Sequence, residues 1–522
     1  MGKIILKELI KDLDSVVSTS IAGSIAEMKL NSEVTSITSD SRRVIPGSVF
    51  FAINGSNLKG STFIEDALKR GAIVAITDDD VNHDNVIKCA DVRREYANAL
   101  SKFYNHPQRD LNIVAVTGTN GKSSCAWIMS QLSAKLLGSS AYIGTIGYLQ
   151  LFDRGERSEL TPNSLTTPDS ADLYGFLSEC KQKGITHIYL EATAHAIEQH
   201  RLSGIEFIGS IFTNLTQDHL DYFHTMDTYY LAKEKLFTDF KYRSPNFVIA
   251  NCDDLYARRI LNHPNANFAR KVSVSTATDF CDRTSFEFSN TGYNLMVVLD
   301  YANYYYDKTE IKFSIHSTGE SYTFMSPLIG SYNVDNLLYS IMALSQIGFS
   351  FEDIIKFIPE LKTVPGRLEN VSTGKISVFI DYAHSPDGLK CVLESLNKIR
   401  HKNPELSGKI ITVFGCGGDR DKTKRPIMGD IAARLSDVVI ITSDNPRKED
   451  PAAIISDIQS GITSSDKIFV EVDRKEAIRN AIESAKEGDV VLIAGKGHED
   501  YQIIGDQTVH FSDHEIVRLF LG

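Results

Sequence analysis

Apolar and polar residues alternate in three different rhythms along the chain. Over residues 1 to about 109, short apolar runs are broken by polar turns. Residues 62–71 carry helical spacing and lead into a strand-like run at 72–76, since helices repeat near 3.6 residues and buried strands are continuous. The polar stretch 105–110, with Pro107 inside it, reads as a linker. The second zone opens with the apolar run 113–117, then a glycine-rich turn, then a helical pattern over 122–137. Buried-type strands follow at 187–190, 207–212 and 247–250 with helices between them, which predicts a parallel sheet. Residues 284–328 alternate as antiparallel strands do, and a helix over 333–347 closes the zone. From about residue 365 onward, four apolar strands each run into a polar or glycine-rich loop. These loops are Asp381-Tyr-Ala-His, Gly415-Cys-Gly-Gly-Asp-Arg420, Ser443-Asp444-Asn445-Pro-Arg447 and Gly495-Lys-Gly-His-Glu499. Ligands of open α/β sheets bind beyond the carboxyl ends of the strands, so four loaded loops at one edge point to a substrate site.

Composition narrows the class. At roughly 150 residues per domain, the 522 residues predict three domains, and 42% hydrophobic with 23% charged residues is ordinary globular material. The net charge of −12 argues against nucleic acid as the main partner, although a local basic patch could still bind a small anion. Seven scattered cysteines with no CxxC spacing suggest reduced thiols and no zinc site. No apolar run approaches the roughly 18 residues of a membrane span, and Lys3, Lys7 and Lys11 interrupt the N-terminus where a signal peptide would be apolar. A cytoplasmic monomer with no membrane partner is expected.

The sharpest chemical signal is Thr117-Gly118-Thr119-Asn120-Gly121-Lys122-Ser123-Ser124. Strand, glycine turn, lysine and hydroxyl ahead of a helix describe a phosphate-binding loop. Backbone N–H groups cradle phosphates, Lys122 adds a point charge and Ser123 can ligate Mg²⁺. Val116 stands where the generic pattern has glycine, so the loop is a shortened variant. A plain turn with a helix cap is the competing reading.

The segment 117–123 resembles the nucleotide loop shared by the Mur ligases and the folate-glutamate ligases. Further segments are similar to Mur ligases of the MurE type, in order and over essentially the whole chain. They are Asp40-Ser41-Arg-Arg-Val-Ile-Pro-Gly, Leu165-Thr166-Thr167-Pro, Asp218-His219-Leu-Asp, Ala232-Lys233, Pro365-Gly-Arg367, Asp381-Tyr-Ala-His and Asp444-Asn445-Pro-Arg447. Those ligases add the third peptide residue to UDP-N-acetylmuramoyl-L-alanyl-D-glutamate. Each motif alone is weak; the set is specific.

The resemblance implies an α/β, three-domain Mur ligase architecture. Residues 1–109 would bind the UDP end, a central P-loop-type parallel-sheet domain at 110–364 would bind ATP, and a Rossmann-like domain at 365–522 would bind the incoming amino acid. ATP and Mg²⁺ are the implied cofactors. The implied chemistry needs no enzymic nucleophile. A substrate carboxylate takes the γ-phosphoryl group, an amine displaces phosphate from the acyl phosphate, and the protein positions the groups and neutralises charge.

Lys122, Lys233 and His219 match the family's catalytic residues. Ser123, Glu191, His219 and a carbamylated Lys233 match its metal-binding groups. Hard Mg²⁺ prefers oxygen, so His219 could instead be structural. Lys233 could be a solvated helix lysine, and Lys235 is its rival. Ser41, Thr166, Thr167, Thr193, Gln199 and Arg201 match contacts to the muramyl peptide. The usual pair of serines is replaced here by Thr193-Ala194, which loses one hydroxyl. Asn251, Asn333, Arg367 and Asp381 match nucleotide contacts, with Asn336 beside them, although lone asparagines cap turns just as often.

Arg420, Asp444, Asn445, Arg447, Gly495 and Glu499 match the diamino-acid site, with a surface ion-pair network as the alternative. Arg447 offers a planar fork for a carboxylate. That favours meso-diaminopimelate over L-lysine or ornithine, whose far ends carry only an ammonium. A folate-glutamate ligase is the rival enzyme, and a nucleotide-binding switch without turnover is the rival class. Asp444-Asn-Pro-Arg447 and the long N-terminal zone argue against the first; Glu191, His219 and Lys233 argue against the second.

Overall fold

Continuous apolar runs fit strands covered on both faces, and such strands dominate both units of this computed structural model. It describes residues 4–11, 27–55, 58–153, 160–161, 165–240, 242–266, 268–276, 293–372, 375–403, 408–463 and 466–521. One compact unit holds the described residues among 1–275, with 293–296 and 339–349; the other holds 297–338 and 350–521.

In the first unit, β1 (Ser36–Thr38), β2 (Ser48–Phe51), β3 (Val74–Thr77) and β4 (Val86–Lys88) form a parallel sheet in chain order. A larger sheet contains β5 (Asn112–Thr117), β6 (Ser139–Gly144), β7 (Gly147–Phe152), β8 (His187–Glu191), β9 (Phe207–Phe212), β10 (Tyr242–Asn251) and β11 (Arg270–Ser275). Its order is β11-β10-β9-β5-β8-β6-β7, parallel except for β7, which turns back on β6. The predicted parallel strands are therefore all present, and the β6–β7 hairpin is an addition.

The two sheets share one apolar core. Val49, Phe51, Tyr96 and Leu100 lie in the same cluster as Ile113, Leu173 and Leu177. The predicted linker is part of this packing. Left-handed Asn105 and His106 reverse the chain, Pro107 and Gln108 are buried, and Gln108 Nε2 donates to Ser101 Oγ at 2.7 Å and to the Gly204 carbonyl at 3.0 Å. A polar segment with proline looks like a spacer, but here Gln108 is buried and its amide N–H groups are satisfied inside the unit.

Strands β12 (Tyr293–Tyr304), β13 (Thr309–Ile315) and β14 (Ser321–Ser326) form the expected antiparallel meander, in the second unit from residue 297 onward, and helix Ser331–Ile347 follows, its residues 331–338 in that unit. The part of the prediction before residue 293 lies outside the described residues. The second sheet uses β15 (Glu369–Asn370), β16 (Ser377–Asp381), β17 (Ile410–Phe414), β18 (Val438–Ile441), β19 (Ile468–Val470) and β20 (Val490–Ala494) in the order β15-β16-β20-β17-β18-β19. All but β15 run parallel. Because β20 inserts between β16 and β17, Asp381 pairs with Ala494, and Ala494 with Phe414. The four predicted loops thus leave the sheet at one edge. A hairpin of β21 (Tyr501–Ile504) and β22 (Gln507–His510) follows.

Behind that edge lies a fully buried ion pair. Arg474 Nε and Nη2 donate to the Asp513 carboxylate at 2.8 and 2.7 Å, and Nη2 also donates to the Ala494 carbonyl at 3.1 Å. Asp513→Ala would strand a guanidinium in the core, so it should lower stability by about 3–5 kcal/mol. Urea unfolding checks this, and a loss under about 1 kcal/mol would show that the pair is dispensable.

Candidate active site

The glycine-rich turn 118–121 forms where expected, between β5 and helix Lys122–Leu137. Gly118 has φ 142°, and a Cβ there would lie 1.9 Å from Thr213 Oγ1, so only glycine fits. The segment after β9 clamps the loop from outside. Thr119 N donates to the Asn214 carbonyl at 2.8 Å, Asn120 N to Asn214 Oδ1 at 3.0 Å, and Thr213 Oγ1 to the Asn120 carbonyl at 2.6 Å. Ser124 stands half-buried on the first helical turn.

Lys122 folds over the loop and donates to the carbonyls of Gly118 and Thr119 at 3.0 and 2.8 Å. Lys233 donates to the same Gly118 carbonyl at 2.8 Å from helix Met226–Thr238, with its ammonium 4.5 Å from the Tyr229 ring centre. Lys233 is only 1% exposed, which rules out the solvated-helix reading. Burial, and then the neighbouring charge of Lys122, push its ammonium well below the usual lysine range against the opposing pull of Asp218. The result is a lysine disposed to be neutral. Lys235 pairs instead with Glu198 at 2.8 Å.

Glu191 ends β8 fully buried and gathers the oxygens around the loop. Oε1 accepts from Tyr142 Oη at 2.5 Å and Thr145 N at 2.8 Å; Oε2 accepts from Ser123 Oγ at 2.9 Å and Thr145 Oγ1 at 3.1 Å. Thr145 Oγ1 also lies 3.3 Å from Thr166 Oγ1, whose hydroxyl can donate to it. Thr167 Oγ1 donates to the Glu191 carbonyl at 2.7 Å and lies 3.1 Å from Thr193 Oγ1. Thr193 caps helix Ala194–Glu198 through Ala196 N, so the hydroxyl kept at this position has a structural task. Arg201 donates to the Thr167 carbonyl at 2.9 Å and to Gln199 Oε1 at 2.6 Å. Ser41 lies apart from this group, buried in a turn that Asp40 caps.

His219 stands in a left-handed conformation (φ 53°), with Nε2 3.4 Å from Asp218 Oδ2 and its ring 4.9 Å edge-on to His195. Among the described residues, no group of three or more His, Cys, Asp or Glu is assembled for a metal. The structure brings together Ser123 and Glu191, with Thr145 beside them. This is a hard-oxygen set that suits Mg²⁺.

In the second unit, the strand-end loops converge around a residue that sequence reasoning missed, the fully buried Lys496. Its ammonium lies 3.4 Å from Asp444 Oδ1, 3.2 Å from Asn445 Oδ1 and 3.4 Å from Glu499 Oε2. Asn445 Nδ2 donates to Glu499 Oε2 at 3.0 Å. Asp444 and Asn445 are both buried, so a surface ion-pair network is excluded. Gly495 has φ 119°, and a Cβ there would meet Asp444 Oδ2 at 2.9 Å.

Arg447 is left-handed (φ 52°) and donates to the Gly418 carbonyl at 2.8 Å. Buried Arg425, also missed, braces that loop through Gly417 O at 3.2 Å and Glu449, which in turn accepts from Asp419 N at 2.6 Å. Arg425 and Lys422 hold the Glu449 carboxyl at about 2. Arg420 is exposed beside left-handed Asp419.

Asp381 is buried and accepts from Leu368 N at 2.6 Å and Ala383 N at 2.7 Å. Burial raises its carboxyl, opposed by Arg367, which stacks 4.9 Å from the Tyr382 ring centre. Asn251 caps a turn by accepting from Asp253 N at 2.7 Å. Asn333 donates to the Ile329 carbonyl at 2.8 Å and accepts from Asn336 at 3.2 Å. Lys496 was visible only as a lysine within a glycine-rich loop. Thr145 and Tyr142 carried no signal, because they reach Glu191 from a neighbouring strand.

Residues 33–115 match the Mur ligase family catalytic domain, 116–344 the Mur ligase middle domain, and 366–497 the Mur ligase glutamate ligase domain. A UDP-N-acetylmuramoyl-L-alanyl-D-glutamate–2,6-diaminopimelate ligase from Synechococcus elongatus is 38% identical over 505 residues, 94% of this chain and 95% of its own. The ligase of the same name from Rickettsia rickettsii is 38% identical over 492 residues, 93% of this chain and 95% of its own. A solved structure with that name superposes with a TM-score of 0.68 at 30% identity, covering 100% of this chain and 99% of the other. Mycobacterium tuberculosis folylpolyglutamate synthase, solved with ADP, is 15% identical with a TM-score of 0.56 over 76% of this chain and 91% of its own, and so shares the fold alone. Matched by these families along most of its length and by relatives of nearly equal length, the chain belongs to the Mur ligase family.

Proposed function

We propose that this Mur ligase uses ATP to join meso-diaminopimelate to UDP-N-acetylmuramoyl-L-alanyl-D-glutamate in cytoplasmic peptidoglycan synthesis. The observation that carries the reading is the convergence on one phosphate loop of Lys122, the buried Lys233 and the buried Glu191. A loop that only held nucleotide would need neither of the last two. The relatives' names supply the substrates, and the three-domain division at 109 and 364 is part of the proposal.

The D-glutamate carboxylate attacks the γ-phosphorus, the β–γ bridging bond breaks and ADP departs. The amine of diaminopimelate then attacks the acyl carbon, phosphate leaves and one proton is lost. Lys122 turns from the loop carbonyls to the phosphates. Ser123 and Glu191 would hold Mg²⁺, which when bound supplies positive charge against the phosphate oxygens. The neutral amine of Lys233 adds CO₂ and releases a proton, giving a carbamate whose negative charge suits that cation. Thr166, Thr167, Thr193, Gln199, Arg201 and Ser41 face the nucleotide-linked peptide. Asn251, Asn333, Arg367 and Asp381 serve ATP, and Arg420, Asp444, Asn445, Arg447, Gly495 and Glu499 the diamino acid. No helix among the described residues is long and apolar enough to cross a membrane.

ADP release with the UDP-linked dipeptide and a panel of diamino acids tests the whole reading, and turnover with a folate instead would overturn it. Lys122→Ala should retain its circular dichroism and lose at least ~100-fold in kcat. An active variant would sink the phosphate assignment. Lys233→Ala should lose most activity and regain part of it with added short-chain carboxylates. Rescue of equal size in Lys235→Ala would move the role to the rival. Arg447→Ala should erase a preference for diaminopimelate over L-lysine of at least ~100-fold in kcat/KM while leaving the KM for ATP unchanged.

A further inference from the structure

We infer that Lys496 is a specificity-determining residue, setting the charge of the amino-acid site so that it accepts a zwitterionic head and rejects a purely cationic one. The inference rests on the ligase reading above. It concerns a residue that reading did not use.

Lys496 is fully buried, and its ammonium sits among Asp444 Oδ1, Asn445 Oδ1 and Glu499 Oε2 at 3.2–3.4 Å. These are long hydrogen bonds, so the charge is shared among the acceptors rather than committed to one. Two carboxylates with little exposure to water could not remain together without a cation between them. The site is also held together by hydrogen bonds to the following hairpin. Asn445 Oδ1 accepts from Ile503 N at 2.9 Å, Gln502 Nε2 donates to the Asp444 carbonyl at 2.6 Å, and Arg447 N donates to the Ile503 carbonyl at 3.0 Å. Asp444, Asn445, Lys496, Glu499 and Arg447 are thereby tied to one hairpin. The neighbouring buried Arg474 also acts on Asp444 and Glu499, but its charge is matched by its ion pair with Asp513, so the pair adds no net charge. Arg420 is exposed.

Within the set Asp444, Glu499, Lys496 and Arg447, two carboxylates and two cations cancel. Lys496 neutralises one carboxylate from within, leaving one negative charge for an incoming ammonium and Arg447 for an incoming carboxylate. A head carrying both groups leaves the site neutral. A head carrying only an ammonium leaves Arg447 unmatched, a full positive charge in a partly desolvated pocket. Without Lys496 the balance inverts. The empty site becomes anionic, an ammonium-only head neutralises it, and the zwitterion leaves it with surplus negative charge.

The test is the ratio of kcat/KM for meso-diaminopimelate to that for L-lysine in four proteins. Wild type should prefer diaminopimelate. Lys496→Met, close in length and apolar, should reduce the ratio at least ~10-fold, since an unmatched charge nearby in a partly buried site is worth more than that. The change should lie in the KM for the amino acid, with the KM for ATP unmoved. Lys496→Arg keeps the charge and should keep the preference. The double variant Lys496→Met with Glu499→Gln removes one charge of each sign and should recover the wild-type direction. A ratio within ~2-fold of wild type in an active Lys496→Met enzyme overturns the inference. So does a double variant that stays lysine-preferring, or one that is inactive alongside an unfolded single variant. Wild type that uses neither amino acid would instead overturn the ligase reading itself.

Discussion

A carboxylate withdrawn from water must be surrounded by donors, and Glu191 is where that requirement organises the first unit. Its four donor contacts come from a strand, a turn and the phosphate loop: Tyr142 on β6, Thr145 just beyond it, and Ser123 at the head of the loop helix. Through Thr145 the network reaches Thr166, and through the Glu191 carbonyl it reaches Thr167 and then Thr193 and Arg201. The glycine-rich loop and Thr166, Thr167 and Thr193 are therefore registered against each other by a single residue. Mispositioning Glu191 would shift both together, and under the proposed function that would couple the nucleotide to the acceptor carboxylate.

The second unit meets the same electrostatic requirement in another way. There several acids are held by buried cations: Lys496 between Asp444 and Glu499, Arg425 against Glu449, Arg474 against Asp513. Removing either partner of such a pair is costly, so these pairs fix loop positions even when they add little net stability. The backbone shows where that positioning is used. Non-glycine residues held in the left-handed region include Leu368 beside Arg367, Asp419 beside Arg420, and Arg447 itself. Strain of this kind persists only where the surroundings enforce it.

What could be read in advance follows from the range of each interaction. The loop helix was predicted to its ends, because Gly121 and Gly138 mark it locally with left-handed turns. The four strand-end loops were legible because each is announced by a buried strand, and β20 inserting between β16 and β17 only completed their convergence. Lys233 resembled a surface lysine because Glu234 and Lys235 flank it; its burial arises from Tyr229 and the Gly118 carbonyl. Lys496 and Thr145 were missed for the same reason: partners that define them, Asp444 and Asn445 for the first and Glu191 for the second, lie far along the chain. The turn at Pro107 looked like a spacer because polarity marks exposure only when no distant group is available to satisfy it.

Position and charge divide the work between these two sets of contacts. Lys122 and Lys233 both donate to the Gly118 carbonyl, so two ammonium groups compete for one acceptor. That competition favours Lys233 neutral, as burial does. Converting it to an anion by CO₂ addition would turn the repulsion into attraction, free the carbonyl and place a negative charge beside Lys122. The loop could then present Lys122 to phosphate without leaving a second buried cation unmatched. In the proposed mechanism the carbamate would do more than add a metal-facing oxygen. It would also resolve an electrostatic conflict that the fold itself creates, two lysine side chains donating to one buried carbonyl.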